Sequence, residues 1–395
     1  MLVRSLKLKV NKSQEKYLNR YLFHLEGVYN WAIRQIKFNS ANGIYLSHYD
    51  LQNATSNHAK KIEIHSQVFQ ATLKQAWSAW DRCFKKLGGQ PRLKSRYRRL
   101  ESFLFPQILE RNHPIGNQIH LPGGFNFKFF KQDIPEGKIK TARIQKKSSG
   151  WYLNLTIDTN HKITNLKDTE EAVGVDTGFH HLAILSNGIK YENPRELKIG
   201  AKCLAQAQRG HDKKLVARLH EKQSNKRKDR NHKDSTEIIR NYKTIYITND
   251  NLVGQAKKFG KSVTEAGIAQ LRNFLLYKGL NSGRVVGLVE SHYTTMTCSC
   301  CGSLTGPTGL KGLAVRDWVC CVCGTHHDRD VNSGQVVLKI GVGTALALTI
   351  GVQPSVVDLK QKSFGRRKKS MSGVGGSTAN LNSRVCLGIP ERCEE

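Results

Sequence analysis

Four cysteines of this chain have the spacing of a metal site. Cys298 and Cys301 form one C-x2-C pair, and Cys320 and Cys323 form a second pair, within the range of about 15 to 20 intervening residues that zinc sites use. A glycine follows each pair, where the turn around a metal requires a positive φ. Four cysteine thiolates give Zn²⁺ a closed tetrahedral site. We therefore predict a structural zinc ribbon at about 296–326, with no catalytic role for its metal.

The other cysteines leave the register of this site slightly open and indicate the compartment. Cys300 and Cys321 each lie one residue from a pair, so they are alternative ligands. The remaining four are scattered and are predicted to be ordinary thiols: Cys83, Cys203, Cys386 and Cys393. Crowded cysteines indicate metal rather than disulfides, and the chain opens without a secretory signal, so we predict a cytoplasmic protein. The longest apolar stretch, 340–352, is glycine-rich and too short to span a bilayer.

Three aspartates stand where they could bind a harder metal. Asp176 ends the apolar segment VGVD, and Asp328 and Asp330 lie in HDRDVNSG just after the second cysteine pair. A carboxylate is costly inside a core, so Asp176 is expected to project from a strand end into a polar site. Converging carboxylates bind the Mg²⁺ ions that catalyse phosphodiester hydrolysis. Taken singly, each aspartate is equally explained by helix capping or a surface turn.

The charge balance indicates a polyanionic partner. Lys and Arg number 63 against 31 acidic residues, a formal net charge of +32. Self-repulsion makes such an excess costly unless a polyanion offsets it, and counterion release makes nucleic acid the favoured partner. An anionic membrane surface is the alternative, but the basic residues are spread along the whole chain and not collected on one amphipathic helix.

The first 160 residues are predicted to combine helices with a β-barrel or sheet. Apolar spacing indicates helices over 13–38 and 66–87, the first capped by Asn11 or Ser13, and the aromatics of the second are expected in the core. Segments between 91 and 160 alternate like antiparallel strands. The segment PRLKSRYRRLESFLFP carries five basic residues that could track a phosphate backbone or simply form a solvated face: Arg92, Lys94, Arg96, Arg98 and Arg99.

Residues 161–352 have the alternation of an α/β domain. The strands AVGVD, LAILSNG, TIYIT and RVVGLVES are separated by helical stretches, which favours a sheet with helices on its faces. A long basic segment, 202–240, includes Lys226, Arg227 and Lys228, which we predict to contact nucleic acid. Residues 160–171 are predicted to form a linker and 353–395 a flexible basic tail. This gives three regions, 1–160, 161–352 and 353–395.

The chain resembles the TnpB proteins of bacterial insertion sequences, which are related to compact type V CRISPR effectors. The similarity is carried by G-V-D-T-G, by Y-T-T-x-T-C-S-C-C-G and by R-x-W-x-C-C-x-C-G-x-x-H-D-R-D-x-N, in that order. Weaker matches include YNWAIRQIK and LKSRYRRLESFLFP, which look like the N-terminal recognition and wedge region, and LLYKG.

This resemblance implies an RNA-guided, Mg²⁺-dependent DNA endonuclease. Its fold would be a RuvC-like (RNase H-like) domain with an inserted zinc ribbon, preceded by the N-terminal β and helical unit. Asp176 would match the first RuvC aspartate and Asp330 the last, and the two cysteine pairs would match the zinc ligands. A noncoding guide RNA and double-stranded target DNA would be its partners.

The middle carboxylate of the family pattern is displaced in this chain. Many relatives have Glu at the end of the strand TIYIT, where this chain has Thr248, Asn249 and Asp250. Others place it two residues before Y-T-T, which here is Ser291, with Glu290 beside it. Because a shift of one residue reverses the face of a strand, Glu290 serves only if the strand end is twisted, bulged or shifted. The prediction nevertheless ranks Glu290 above Asp250.

Two other departures lie nearby. Met296 replaces a common Gln, and Gly334 replaces an Ala in the following helix, where glycine weakens helix formation. These changes support an alternative function, an impaired nuclease that binds DNA under RNA guidance without cutting it, as a repressor or a relic.

Overall fold

The structure is a computed structural model that describes residues 1–159, 166–312 and 314–349, without the side chains of 310, 311 and 345–349. Met1–Gly343 form one compact unit, to which the following description applies. The predicted tail at 353–395 lies outside the described residues, as do 160–165 of the predicted linker, Cys386 and Cys393.

The N-terminal half pairs a helical layer with a six-stranded antiparallel sheet. Its elements are β1 (Leu2–Lys9), α1 (Lys12–Ala41), α2 (His48–Asn53), α3 (His58–Lys61), α4 (Ser66–Phe84), β2 (Ser102–Phe105), β3 (Gln118–Leu121), β4 (Phe125–Phe129), β5 (Lys138–Lys147) and β6 (Gly150–Asp158). The strand order is β2-β5-β6-β1-β4-β3. The two predicted helices are confirmed as α1 and α4, and their buried side chains share one core with the sheet.

Local signals explain where α1 begins, but not the position of β1. Asn11 accepts from the Gln14 backbone while the Gln14 side chain accepts from Asn11, a complete capping box. The sheet was expected only within 91–160. That boundary was wrong, because β1 lies between β6 and β4 in the middle of the sheet. Its basic residues alternate with buried Leu6 and Leu8, which supply the period of two that a half-buried strand needs.

The second half is built on a five-stranded mixed sheet. Its elements are β7 (Ala172–Thr177), β8 (His181–Leu185), β9 (Lys190–Glu192), α5 (Glu196–Ile199), α6 (Ala201–Arg209), α7 (Lys213–Asn241), β10 (Thr244–Thr248), α8 (Leu252–Ala266), α9 (Ile268–Ser282), β11 (Val285–Val289), α10 (Gly309–Gly312), β12 (Asp317–Val319), β13 (His326–Asp328) and α11 (Arg329–Thr349). The order is β11-β10-β7-β8-β9; β10 runs parallel to both neighbours, and β8 and β9 are antiparallel. The four predicted strands are confirmed as β7, β8, β10 and β11.

Glycines let α11 approach this sheet closely. A Cβ on Gly174 of β7 would lie 2.1 Å from the carbonyl oxygen of Gly334, and a Cβ on Gly334 would lie 3.0 Å from the Ser186 nitrogen. Gly334 therefore has a packing role, and the expectation that it marks a weakened helix is corrected, since α11 continues through it. This close contact positions the first turn of α11 beside the end of β7.

In the part of the chain that the structure describes, no helix combines the length and apolar character required to cross a lipid bilayer.

Candidate metal centre and active site

The four predicted cysteine ligands converge on one point. Cys298, Cys301, Cys320 and Cys323 have sulfur atoms that all lie within 4.8 Å of one another. The Sγ–Sγ distances from Cys298 to Cys323 and from Cys301 to Cys320 are both 3.6 Å. Cys300 and Cys321 are exposed and outside this cluster, so the register of the two pairs is resolved as C-x2-C.

The same turn builds both halves of the cluster. The amide of Gly302 donates to the Cys298 carbonyl at 2.9 Å, and the amide of Gly324 donates to the Cys320 carbonyl at 2.8 Å. Gly302 has φ +80° and Gly324 has φ +70°. The predicted need for positive φ after each pair is confirmed. A side chain at either position would impose backbone strain on the turn.

Polar neighbours tune the thiols. The Thr305 hydroxyl donates to Cys320 Sγ at 3.2 Å and lowers the pKa of that thiol to about 5, whereas burial raises the pKa of Cys298 to about 12. Nε2 of His327 lies 3.0 Å from Cys298 Sγ, and its ring packs on Trp318 at 4.7 Å between centroids. Four clustered thiols, one already favouring the thiolate, fit a soft divalent cation such as Zn²⁺.

Hydrogen bonds join the cysteine cluster to α11. Asn332, which is 1% exposed, donates to the Thr297 carbonyl and accepts from the Ser299 amide, both at 2.8 Å. The Ser299 hydroxyl donates to Gln335 at 2.7 Å. The helix that carries Asp330 is therefore held directly by the segment that carries the first cysteine pair.

Asp176 lies close to its predicted place at a strand end, as the penultimate residue of β7, and its pKa is strongly raised. Burial is the main cause that raises its pKa, to about 7; the charges of Asp250 and Asp330 add to the rise, and Ser333 and Arg329 oppose it. Asp176, Asp250 and Asp330 form what we call the carboxylate cluster.

Asp250 is held in this cluster by two threonines. Its Oδ2 accepts from Thr177 at 2.8 Å and from Thr248 at 3.1 Å, and the two hydroxyls lie 3.0 Å apart. Thr177 follows Asp176 on β7, and Thr248 ends the neighbouring strand β10. Sequence analysis noted Asp250 but missed these supports. The run TND after a buried strand was the available signal.

Glu290 directly follows β11, and its side chain is largely exposed to solvent. Strands β10 and β11 pair in register through Thr248 and Val289, so Glu290 is one residue past the position level with Asp176. Its side chain is 71% exposed and accepts from Asn249 at 3.3 Å. The pairing of β10 with β11 has no bulge or register shift that would bring Glu290 level with Asp176, so the role predicted for Glu290 gains no support from this register and stays a prediction.

Asp330 begins α11 and is paired with arginines. Its Oδ2 lies 2.7 Å from Nη1 of Arg316, its Oδ1 lies 3.6 Å from Nε of Arg329, and its side chain is only 15% exposed. Asp328 instead caps the helix, accepting from the amides of Asp330 and Val331 at 2.9 and 3.1 Å. Capping thus explains Asp328, and the two arginines are site residues that sequence analysis missed, although Arg316 is part of the R-x-W pattern.

The two clusters differ in compactness. Within the described ranges, the four cysteines are the only group of three or more cysteine, histidine or carboxylate ligands that approach one another within 4.8 Å. The carboxylates of Asp250 and Asp330 lie close enough to perturb Asp176, but the three do not all lie within that limit of one another. Their arrangement suits cations that arrive with water and a phosphate.

The predicted nucleic-acid-binding residues lie on two surfaces. Arg92, Arg96, Arg98 and Arg99 are exposed and Lys94 is half-buried, in the loop before β2. On α7, Lys226 and Lys228 are exposed, and Lys226 pairs with Glu196 at 3.1 Å. Arg227 is half-buried and packs against Gly267, where an added Cβ would lie 2.8 Å from its Cδ.

Two family models match adjacent parts of the second half. Residues 155–256 match the OrfB family of IS605 type, described as "Probable transposase". Residues 269–337, which include all four clustered cysteines and Asp330, match the TNB domain of Cas12f1-like proteins.

Relatives match over most of the chain. A protein of Streptomyces pristinaespiralis, named for an RNA-guided DNA endonuclease activity, is 29% identical over 348 residues, covering 83% of this chain and 81% of its own. InsQ of Escherichia coli, similarly named, is 25% identical over 373 residues, covering 85% of this chain and 90% of its own. A TnpB-like protein of Acanthamoeba polyphaga mimivirus is 31% identical over 136 residues, covering 32% of this chain and 25% of its own.

A solved structure shares the fold. The Cas12f1 chain of a Cas12f1–sgRNA–target DNA complex superposes with a TM-score of 0.54 at 14% identity, covering 83% of each chain.

Proposed function

Since this chain belongs to the TnpB family, we propose that it is an RNA-guided DNA endonuclease of a bacterial insertion sequence. In this proposal the mixed sheet with α11 is its RuvC-like nuclease domain and cuts DNA at the carboxylate cluster. Ligands of open α/β sheets bind at the carboxyl ends of parallel strands, where Asp176 is the penultimate residue of β7 and Asp250 lies two residues beyond β10.

The observation that carries this proposal is the mutual repulsion of the carboxylates. Asp250 and Asp330 both raise the pKa of Asp176, so ionising all three is costly in the protein alone. Carboxylate oxygens are the ligands that Mg²⁺ prefers, and a divalent cation relieves that repulsion. When bound, Mg²⁺ would supply an activated water and stabilise charge on the phosphodiester.

The chain's own side chains prepare this centre. Thr177 and Thr248 both donate to Oδ2 of Asp250 and so hold its carboxylate beside the ends of β7 and β10. Arg316 and Arg329 neutralise Asp330 until it takes up a cation. We assign Asp176, Asp250 and Asp330 as the metal-holding residues, and we place Glu290 outside the centre because it is largely exposed.

The cysteine cluster is proposed to hold a structural Zn²⁺. All four positions are protein thiols, which leaves no open coordination position for a substrate. Through Asn332 and Ser299, this ribbon would fix the start of α11 and hence Asp330.

The basic surfaces are proposed to bind the guide RNA and the target DNA. Exposed arginines before β2 and exposed lysines on α7 suit phosphate contacts, which supply affinity without reading sequence. Arg227 contributes mainly by packing, since it is half-buried against Gly267.

Two observations favour a second candidate, RNA-guided DNA binding without cleavage. A threonine, not a carboxylate, ends β10 at Thr248, and Asp330 is already paired with Arg316 at 2.7 Å. In that case Asp250 would be unable to replace the displaced glutamate.

Plasmid cleavage separates the two candidates. The protein is co-expressed with the DNA that flanks its gene, the co-purified RNA is sequenced, and a plasmid library carrying the complementary target is incubated with Mg²⁺. We expect linearised plasmid, and loss of a metal-holding carboxylate in Asp176→Ala should reduce its rate on the order of 10³-fold or more.

Two controls accompany this assay: plasmid cleavage by the wild type in the presence of EDTA, and target binding by Asp176→Ala. Binding without cutting by the wild type would select the second candidate. Equal cutting by wild type and Asp176→Ala would remove the carboxylate cluster from the mechanism.

A further inference from the structure

A cavity of about 800 Å³ lies between α1 and the basic loop before β2, remote in sequence from the carboxylate cluster. Two aromatic side chains of α1 line it, Phe23, which is 62% exposed, and the half-buried Trp31. Three cations line it from the loop: Lys94, Arg96 and Arg99. The cavity therefore combines π-faces on one side with positive charge on the other.

The cationic wall is fixed to α1 by hydrogen bonds. The Asn30 side chain donates to the Lys94 carbonyl at 3.0 Å and accepts from the Lys94 amide at 2.7 Å. Buried Glu26 accepts from the Leu100 amide at 2.9 Å. The residues between these two anchors form a turn in which the Arg98 amide donates to the Ser95 carbonyl at 2.9 Å. The width of the cavity is thus set before any ligand enters.

Gly27 lies within α1 and lines the cavity with backbone that carries no side chain. Glycine within a helix costs about 1 kcal/mol relative to alanine. A Cβ at Gly27 would meet no atom within 4 Å, so neither packing nor backbone conformation within the chain requires a glycine. Open space over a helical glycine is instead what a planar ligand approaching the backbone would need.

We propose that this cavity seats one unstacked nucleobase of a single-stranded nucleic acid, over Gly27 and against Phe23 and Trp31. Lys94, Arg96 and Arg99 contact the flanking phosphates. Aromatic side chains stack on any base because every base has a π-face, and adjacent cations follow the backbone. The inference deepens the proposed function, from which it takes the class of ligand.

Binding to paired probes tests the cavity without requiring nuclease activity. The full-length protein in Mg²⁺-free buffer is titrated into a fluorescein-labelled oligouridylate of about twelve nucleotides and into an oligomer of equal length with abasic sites. The same pair is prepared as DNA. Because the two members of a pair carry equal charge, the ratio of their Kd values isolates the base contribution. One stacked base should give a ratio of about ten.

Gly27→Leu fills the cavity while leaving its cations in place. We expect its ratio to fall to within about twofold of one, with the Kd for the abasic oligomer unchanged, and Phe23→Ala should reduce the ratio similarly. Gly27→Ala adds a single methyl group at the same backbone position and should give a ratio between those of wild type and Gly27→Leu. The matched control is Phe38→Ala, which removes a similarly exposed aromatic from α1 (68% exposed) and should keep the wild-type ratio.

Each result has a defined consequence. If Gly27→Leu and Phe23→Ala reduce the Kd ratio of the RNA pair, the cavity is assigned to RNA. If they reduce the Kd ratio of the DNA pair, the cavity is assigned to a DNA strand. If folded Gly27→Leu and Phe23→Ala both retain the wild-type ratio, the proposal is overturned. If the wild-type protein shows the expected Kd ratio but does not cleave a plasmid under RNA guidance, the proposed base-binding site stands and only the proposed nuclease activity is rejected.

Discussion

The cysteine cluster and the carboxylate cluster are neighbours, joined through β13 and the start of α11, yet they are assembled in opposite ways. The cysteines come from two local turns that are closed by Gly302 and Gly324. Their ligand atoms already lie within 4.8 Å of one another. The carboxylates come from β7, the residues after β10 and the first turn of α11, and they repel one another.

This difference separates a structural site from a reactive one. A preassembled thiol cluster can bind its metal tightly and stabilise the local fold. A cluster of mutually repelling carboxylates is costly for the protein alone, and strain of this kind is typical of functional sites. Arg316 and Arg329 limit that cost at Asp330, with which both form ion pairs.

The sharpest test of the carboxylate cluster exchanges its third member. Asp250→Asn should lower guided plasmid cleavage on the order of 10²-fold, because it removes one of the carboxylates proposed to hold the metal. Glu290→Gln is the matched control and should stay within about threefold of wild type, because an exposed side chain outside the centre contributes little. Cleavage rates at saturating Mg²⁺ measure both. The opposite ranking would restore Glu290 to the mechanism.

The contribution of the cysteine cluster can be separated from simple thiol loss. Cys301→Ser should release the bound metal and reduce cleavage about tenfold or more, because disturbed support for a metal-site ligand typically costs about 10- to 100-fold. Elemental analysis gives the zinc content. Cys300→Ser removes an adjacent exposed thiol outside the cluster and should change neither quantity. Equal zinc loss in the two variants would contradict the assigned register.

The repulsion at Asp176 predicts a stability gain when its charge is removed. The raised pKa means that the folded protein binds the proton more tightly than the unfolded chain. Stability should therefore fall as pH rises from about 4 to about 7, and Asp176→Asn should be more stable by about 1–2 kcal/mol at pH 8. Urea unfolding in Mg²⁺-free buffer at pH 4 and pH 8 measures this. A variant no more stable than wild type at pH 8 would show that Asp176 is not strained.

The smallest expected effect concerns the arginine beside Asp330. Arg316→Gln removes a partly exposed ion pair that competes with a cation, so the Mg²⁺ concentration for half-maximal cleavage should fall about threefold. Lys190→Gln removes the comparable ion pair of Asp328, at 2.8 Å, and should leave it unchanged. An increased Mg²⁺ requirement in Arg316→Gln would mean that this arginine positions Asp330 instead of competing for it.

Periodicity and spacing predicted the larger part of the fold. Apolar periodicity located α1, α4 and four strands of the second sheet, because each buries a continuous face whose residues are close in sequence. It missed β1, whose short alternating pattern precedes the helix and whose partners, β4 and β6, lie more than a hundred residues away. It also interpreted Gly334 as a helix weakness, because the close approach of Gly174 is visible only in three dimensions.

The sequence by itself determined the cysteine cluster, because all four ligands and both glycine turns belong to one short segment whose spacing encodes the geometry. It also placed Asp176 near the end of a strand and predicted a polyanionic partner from the net charge of +32. Only the tertiary structure bears on the choice between Asp250 and Glu290, and the preference for Asp250 remains a proposal. That choice depends on the register of β10 against β7 and β11, since one residue along a strand reverses the face on which a carboxylate lies.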